Sequence, residues 1–249
     1  MRVLLVAGSP EPSSPGLVAR LSREAELVMA IDRGAEACRA AGVAPSAFCG
    51  DADTVSPETL AWVRERLGER PSAPDGPLAV TPADERRDIP EVRGLHGWQG
   101  IRLFEPAKYD TDLSLGFSCA RQVASEQGEP LAVTLTCASA GRMDHALAVF
   151  GVLAANADLA PVLVEDAFTC NILSPRGATT WQLGEKAQGK HFSFVALADG
   201  SCVSEQGMRW ELDHFRVDAL RDRGISNIVD TKNASITCHK GVIAAFLIS

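Results

Sequence analysis

Short apolar segments that alternate with helix-like stretches over the first two-thirds of the chain constrain its fold most strongly. Residues 3–7 and 27–31 are continuously apolar, which is typical of parallel strands that are covered on both faces. Turn residues end each of these runs and a helical stretch follows; Ser56 and Pro57, for example, form a strong helix start. The alternation predicts an α/β N-terminal domain with a doubly wound, mostly parallel sheet.

After residue 164 the helical period disappears. Short strand-like segments, among them residues 208–212, are separated there by Gly, Asn, Asp or Lys-Gly. Closely spaced strands with such turns indicate a sandwich or a barrel, and we favour an all-β sandwich as the C-terminal domain. We therefore expect two domains, residues 1–164 and 165–249. Within the first, the Pro-rich residues 69–99 predict a long surface excursion, more readily a tolerated loop than a mobile lid.

Composition excludes several classes of protein. The formal net charge of −8 argues against a general binder of nucleic acid or of anionic membranes, because both need a basic surface. Seven scattered cysteines without C-x-x-C spacing predict buried, reduced thiols and a reducing compartment. The first apolar run is too short for a signal peptide, and no run approaches membrane-spanning length. We expect a cytoplasmic protein with neither a nucleic-acid nor a membrane partner.

Three acidic turns, at residues 50–54, 110–112 and 141–145, each follow a strand-like run and precede a helix-like stretch. In an open α/β sheet such turns gather at the carboxyl ends of the strands, where ligands bind. Their carboxylates belong to Asp51, Asp53, Asp110, Asp112 and Asp144. Carboxylates brought together there repel one another unless a cation neutralises them, and Mg²⁺ that carries a polyphosphate is the obvious candidate.

Basic side chains accompany these turns. Lys108 is placed to meet a phosphate oxygen, and Arg142 to form a fork onto phosphates. Asp144 either caps a helix or binds magnesium, and Asp32, after the second strand, is either a turn residue or part of the site. The P-loop and dinucleotide glycine motifs are absent from the sequence. Phosphate would therefore be held mainly through metal-bridged carboxylates and a few basic groups.

The order of these motifs resembles that of the thiamine pyrophosphokinase (thiamine diphosphokinase) family over nearly the whole chain. The family's A-x-D-G-A element corresponds to residues 30–35, with Arg33 interposed, and its G-D-x-D-S turn to residues 50–54. Its K-D-x-T-D and G-G-R-x-D-H motifs correspond to residues 108–112 and 140–145. Near the C-terminus, G-L-K-W-x-L appears as residues 207–212, and S-N as Ser226 and Asn227.

The resemblance implies transfer of pyrophosphate from ATP to the hydroxyl of thiamine, which gives thiamine diphosphate and AMP. It assigns Asp51, Asp53 and Asp112 to Mg²⁺ and the ATP phosphates, with Asp144 completing the acidic cluster. Arg142 would stabilise charge on the phosphoryl oxygens, and Asp112 or Asp144 would accept the hydroxyl proton. The remaining binding residues that it implies are Asp32, Lys108, Thr111, Trp210, Ser226 and Asn227, with Trp210 stacking on thiamine.

The resemblance also implies a homodimer in which each thiamine site is shared between subunits. The sequence departs from the family pattern at Ala140, Thr54 and Ile228. These departures leave the acceptor open. A pyrophosphokinase that acts on a hydroxymethyl pterin is one alternative, and a catalytically silent regulator that binds nucleotide or thiamine is another.

Overall fold

A computed structural model of the protein describes residues 1–67, 100–103 and 110–249. These residues form two compact units. The first contains Met1–Leu131 and Leu135–Arg142, and the second contains Ala132–Thr134 and Met143–Ser249. This division differs from the boundary expected after residue 164, and the binding roles assigned to the two domains stay predictions. The whole Pro-rich excursion (residues 69–99) and Lys108 lie outside the described residues.

The first unit alternates strands and helices as the sequence predicts. Its elements are β1 (Arg2–Val6), α1 (Pro15–Glu24), β2 (Leu27–Ile31), α2 (Gly34–Ala40), β3 (Ala47–Gly50), α3 (Pro57–Arg66), β4 (Gly100–Leu103), α4 (Asp112–Gln127) and part of β5 (Ala132–Thr136). The strands are ordered β5-β1-β2-β3-β4, and the pairs β1–β2, β2–β3 and β3–β4 are parallel. The parallel sheet is therefore confirmed.

Local sequence explains the ends of these elements. β2 is buried at every position, which accounts for its uninterrupted apolar run. Ser56 caps α3, because its side chain accepts a hydrogen bond from the backbone N–H of Thr59 at 3.2 Å, and Pro57 occupies the first helical position. The carboxyl ends of β2 and β3 thus open into turns that carry the acidic residues.

Apart from residues 132–134 of β5, the second unit begins with α5 (Met143–Ala155), and antiparallel strands dominate the rest of it. These are β6 (Val162–Glu165), β7 (Phe168–Leu173), β8 (Thr180–Gln182), β9 (His191–Ala196), β10 (Ser201–Gln206), β11 (Leu212–Val217), β12 (Asn227–Ile228), β13 (Ser235–Lys240) and β14 (Ile243–Ile248). One layer has the order β12-β9-β14-β7-β6 and the other β11-β10-β13-β8. Phe192 and Phe194 of the first layer share a core with Val203 and Ile236 of the second. The predicted β-sandwich is confirmed.

The strand predicted at residues 208–212 is wrong. Gly207 takes a φ of +69° and turns the chain after β10, and Met208 makes only an isolated bridge with Val229. The backbone of Trp210 then bonds to the side chain of Asn227 instead of to a neighbouring strand. Residues 207–211 form a loop, and the next strand, β11, begins at Leu212.

The cysteines are mostly buried, as their scattered positions in apolar runs predict. All of them lie in the described residues, none is part of a disulfide, and only Cys202 is partly exposed. Among the described residues, no helix is both long enough and apolar enough to cross a membrane.

Candidate functional site

Three aspartate carboxylates converge in the first unit. Asp32 follows β2, Asp51 follows β3, and Asp112 is the first residue of α4. Each offers one carboxylate oxygen, and these oxygens all lie within 4.8 Å of one another. Two of the three acidic turns, those of Asp51 and Asp112, therefore meet the turn after β2 at one edge of the parallel sheet, the position where open α/β sheets bind ligands.

Asp32 is the most constrained member of this carboxylate cluster (Asp32, Asp51 and Asp112). It is buried and has a φ of +44°. Its Oδ2 accepts a hydrogen bond from the hydroxyl of Thr54, whereas its Oδ1 is buried and has no hydrogen-bond partner among the described residues. A buried carboxylate oxygen without a donor is costly, and a hard divalent cation would satisfy it. The donor set, all oxygen and all anionic, fits Mg²⁺.

Asp53 stands beside the cluster. Its backbone N–H donates to Oδ1 of Asp51 at 3.2 Å, and its own side chain is exposed. A second hydrogen bond, between the side chains of Asp53 and Asp51, raises the pKa of Asp53 above its ordinary value; burial and the negative charges of Asp51, Asp32 and Asp112 act in the same direction. Two of the three predicted metal ligands, Asp51 and Asp112, thus have carboxylate oxygens within 4.8 Å of an oxygen of Asp32. The third, Asp53, lies close enough for the negative charges of these three residues to raise its pKa.

A partly buried hydrogen-bond network lies at the end of the loop that carries Asp51 and Asp53. Glu36 on α2 accepts hydrogen bonds from the backbone N–H of Ser56 at 2.8 Å and from the hydroxyl of Thr59 at 2.6 Å. Burial alone would raise the pKa of Glu36, but these hydrogen bonds outweigh it and hold that pKa below its ordinary value. The start of α3 is thereby anchored to α2.

Gly50 determines how closely β3 approaches Asp32. A Cβ atom at Gly50 would lie 2.9 Å from the Cβ atom of Asp32 and 3.0 Å from its Cα atom. Only glycine allows this approach without a shift of the backbone, which explains the residue type just before the acidic turn.

A cavity of about 700 Å³ opens next to the acidic turn, with Ser9, Arg33, Asp53, Thr54 and Val55 among its lining residues. This volume lies within the range of small-molecule sites. Sequence reasoning did not assign roles to Ser9 or Arg33. The interposed Arg33 in the motif at residues 30–35 was the signal that could have identified it.

Three other predicted site residues, Thr111, Arg142 and Asp144, are not members of the carboxylate cluster. Thr111 caps α4 by accepting a hydrogen bond from the backbone N–H of Ser114 at 3.3 Å. Arg142 is exposed in the turn after β5, at the end of the first unit. Asp144 is exposed in the first turn of α5, in the second unit. The proposed roles of Arg142 and Asp144 stay predictions.

The predicted thiamine-binding residues lie together in the second unit. Trp210 is 59% exposed in the loop of residues 207–211, although it is one of the largest apolar side chains of the protein. Asn227 is buried beneath it and bonds to its backbone. Ser226 is exposed, has a φ of +66°, and donates its backbone N–H to the hydroxyl of Ser193 at 3.0 Å. An exposed indole on a fixed loop is suited to stacking on a flat cation.

Residues 181–243, which run from β8 to the start of β14, match the family model described as thiamin pyrophosphokinase, vitamin B1 binding domain. The match covers part of the C-terminal β-sandwich. The match includes Trp210, Ser226 and Asn227, and it confirms the resemblance to thiamine pyrophosphokinases inferred from the motifs. A comparison with curated protein sequences found no match.

Solved structures of thiamine pyrophosphokinases share the fold of the whole chain. The Bacillus subtilis protein has a TM-score of 0.71 at 15% identity, with 100% of this chain and 99% of that chain covered. The Geobacillus thermodenitrificans protein has a TM-score of 0.71 at 18% identity, covering 100% and 98%. The Candida albicans protein has a TM-score of 0.73 at 12% identity, covering 100% and 89%. At these identities the comparison establishes the fold.

Proposed function

We propose that the protein is a thiamine diphosphokinase, which transfers a pyrophosphoryl group from ATP to the hydroxyl of thiamine. The observation that carries the proposal is the cluster of Asp32, Asp51 and Asp112, whose carboxylate oxygens lie within 4.8 Å of one another. The vitamin B1 binding domain at residues 181–243 supports thiamine as the acceptor. An acidic cluster alone would serve many phosphoryl transfers, so we infer the identity of the acceptor from the domain match.

The carboxylate cluster would hold Mg²⁺, with Asp53 adding negative charge at the rim. When bound, the metal neutralises charge on the ATP phosphates and favours attack at phosphorus. Asp32 supports this role because its buried Oδ1 has no other partner among the described residues. The cavity beside Asp53 and Thr54, at about 700 Å³, is suited to part of the nucleotide, and the guanidinium of Arg33 offers a phosphate contact there.

In the proposed reaction the thiamine hydroxyl oxygen attacks the β-phosphorus of ATP. The bond between the β-phosphorus and the oxygen that bridges to the α-phosphorus breaks, and AMP leaves with that oxygen. Asp112 or Asp144 accepts the hydroxyl proton, while Arg142 and Lys108 stabilise charge on the phosphoryl oxygens. Catalysis of this type depends on positioning and electrostatic stabilisation more than on covalent chemistry.

The acceptor would be held by the second unit. Thiamine carries a permanent positive charge on a flat ring, and the exposed face of Trp210 is a favourable surface for such a cation. We further propose the homodimer that the resemblance implies, in which Trp210 of one subunit completes the site of the other.

A product analysis tests this function. Purified protein is incubated with ATP, Mg²⁺ and thiamine, and nucleotides and thiamine esters are separated by chromatography. We expect AMP and thiamine diphosphate in equal amounts, and no AMP when thiamine is omitted. Formation of ADP with thiamine monophosphate would contradict the assignment. Turnover of a hydroxymethyl pterin but not of thiamine would favour a different acceptor, and no turnover of either would favour a regulator.

A further inference from the structure

The loop that carries Trp210 is held at that residue by a side chain. The backbone N–H of Trp210 donates to Oδ1 of Asn227 at 3.2 Å, and Nδ2 of Asn227 donates to the backbone carbonyl of Trp210 at 2.8 Å. The carboxamide thus pairs with both backbone polar groups of Trp210, much as a neighbouring strand would. The position of the exposed indole depends on how firmly Asn227 is held.

Asn227 uses its full hydrogen-bonding capacity inside the protein. Besides the two bonds to Trp210, its Oδ1 accepts from the backbone N–H of Ile228 at 2.8 Å, and its Nδ2 donates to Oε2 of Glu205 at 2.8 Å. A carboxamide has two donors and two acceptor positions, so none is left for a ligand. A direct hydrogen bond from Asn227 to thiamine would require one of these bonds to break.

Glu205 is one of the groups that hold the carboxamide of Asn227 in its orientation. On the Nδ2 side Asn227 faces two acceptors, the carboxylate of Glu205 and the carbonyl of Trp210, and on the Oδ1 side it faces two N–H donors. The opposite orientation would bring its NH₂ group against both N–H groups. The carboxylate therefore reinforces the orientation that the backbone groups of Trp210 and Ile228 favour, and it holds Nδ2 of Asn227 in place.

The burial of Glu205 is itself costly. The residue lies in β10 opposite Leu212 of β11 and Ile236 of β13, and it is only 2% exposed. Its Oε1 has no hydrogen-bond partner in the part of the chain that the structure describes. A buried carboxyl with one unsatisfied oxygen lowers stability relative to an apolar residue of similar shape. Stability alone does not explain a carboxyl at this position, whereas the anchoring of Asn227 does.

We propose that Glu205 is a positioning residue for thiamine recognition, which acts through Asn227 to set the backbone and hence the indole of Trp210. The ligand in this inference rests on the proposed function, but the chain of contacts from Glu205 to Trp210 does not. Asn227 then contributes by orienting Trp210 and not by touching thiamine. Glu205 is outside the motifs that carried the family resemblance, because the C-terminal motif begins at Gly207.

Three variants separate the hydrogen bond from simple packing. Glu205→Met keeps the length of the side chain and removes the acceptor, whereas Glu205→Gln keeps an acceptor oxygen for Nδ2 of Asn227. Glu185→Met, at an exposed position of the same unit, is the matched control. We expect Glu205→Met to raise the KM for thiamine roughly tenfold while kcat and the KM for ATP change less than about twofold, because misplacement of one binding surface weakens one substrate. Glu205→Gln and the control stay close to wild type.

The ¹⁹F NMR signal of Trp210 reports the position of the indole without any need for turnover. The chain has four tryptophans, so protein labelled with fluorotryptophan gives few ¹⁹F signals, and Trp210→Phe identifies that of Trp210. We expect the Trp210 signal to be single and sharp in the wild type and in Glu205→Gln, and to shift or broaden in Glu205→Met. If thiamine proves not to be a substrate but this change occurs, the proposed function fails while the positioning role of Glu205 stands.

Three results would overturn the positioning role of Glu205. The first is an unchanged ¹⁹F signal of Trp210 in Glu205→Met. The second is a loss in Glu205→Gln as large as that in Glu205→Met, because the acceptor is retained there. The third is a fall in kcat with an unchanged KM for thiamine, since that pattern reports a smaller folded fraction and not a displaced binding surface.

Discussion

The hydroxyl of Thr54 donates a hydrogen bond to Oδ2 of Asp32, so that the loop after β3 holds a carboxylate that follows β2. The bond leaves Oδ1 of Asp32 available to a cation, next to oxygens of Asp51 and Asp112. Thr54 stands where the family motif has serine, and both residue types carry the hydroxyl that donates this bond.

Removal of that hydroxyl should weaken the metal site. Thr54→Val keeps the shape of the side chain and removes the donor, so Asp32 gains a second unsatisfied oxygen and its orientation is released. We expect the rate of AMP formation at limiting Mg²⁺ to fall about tenfold. Titration of activity with Mg²⁺ measures this effect. Thr54→Ser should behave as the wild type, and equal losses in both variants would show that the hydroxyl is not responsible.

Neutralisation of any carboxylate of the cluster, or of the neighbouring Asp53, should abolish most activity without unfolding the protein. We expect Asp32→Asn, Asp51→Asn, Asp53→Asn and Asp112→Asn each to lower kcat/KM by about 100-fold or more, because each removes charge at the metal and phosphate site. The melting temperature in EDTA should stay equal or rise, since repulsion among the carboxylates is relieved.

The same variants report on binding. Mg²⁺ and ATP together should raise the melting temperature of the wild type much more than that of any cluster variant. Asp222→Asn, at an exposed position in the second unit, is the matched control and should respond as the wild type does. Equal stabilisation of all variants by Mg²⁺ and ATP would refute the metal-binding roles.

A methyl group at Gly50 should displace Asp32. The added Cβ atom would lie 2.9 Å from the Cβ atom of Asp32, a distance that backbone shifts must relieve. We expect Gly50→Ala to lower the free energy of unfolding by about 1–3 kcal/mol and to impair activity further than that loss explains. Urea denaturation and kinetics measure the two effects. Gly16→Ala, where nothing lies within 4 Å of the added atom, is the control.

Stability should depend on pH through Glu205. Burial raises the pKa of Glu205 to about 7 from an ordinary value of 4.5, and the hydrogen bond from Asn227 opposes this shift only in part. Because the folded-state pKa is the higher one, the folded state favours the protonated acid. The resulting stabilisation is fully present below pH 4.5, declines as the pH rises, and is lost above about pH 7.

Glu205→Gln removes this dependence. The free energy of unfolding of the variant relative to that of the wild type should therefore increase between pH 4.5 and about pH 7, by a total of order 3 kcal/mol. Urea denaturation of both proteins at several pH values measures the difference. A difference that is constant over this range would show that Glu205 titrates normally in the folded protein.

Subunit complementation tests the proposed homodimer. Trp210→Ala and Asp112→Asn subunits should each be inactive alone, whereas a mixture of the two should recover activity. With random pairing half of the dimers are mixed, and each has one intact shared site, so roughly a quarter of the wild-type activity should return. Absence of recovery, in dimers shown to have exchanged subunits, would mean that Trp210 and Asp112 do not complete a shared site.

The sequence by itself determined the parts of the protein that depend on neighbouring residues. The continuous apolar run of β2 and the Ser56-Pro57 start of α3 are local signals, and the structure has the corresponding elements. The acidic turns could be placed at the ends of strands for the same reason. Strand and helix preferences act over a few residues, so they survive in any tertiary setting that buries the apolar faces.

Only the tertiary structure decided which groups meet. Asp32 joins Asp51 and Asp112, and Thr54 bonds Asp32 across 22 residues of sequence, because parallel strands bring their carboxyl ends to one edge. Residues 208–212 resembled a strand, yet the carboxamide of Asn227 holds Trp210 in a loop. Glu205 and Asn227 are likewise 22 residues apart, and no local pattern marks their contact. Contacts of this kind depend on the pairing of distant strands and on burial, which adjacent residues do not encode.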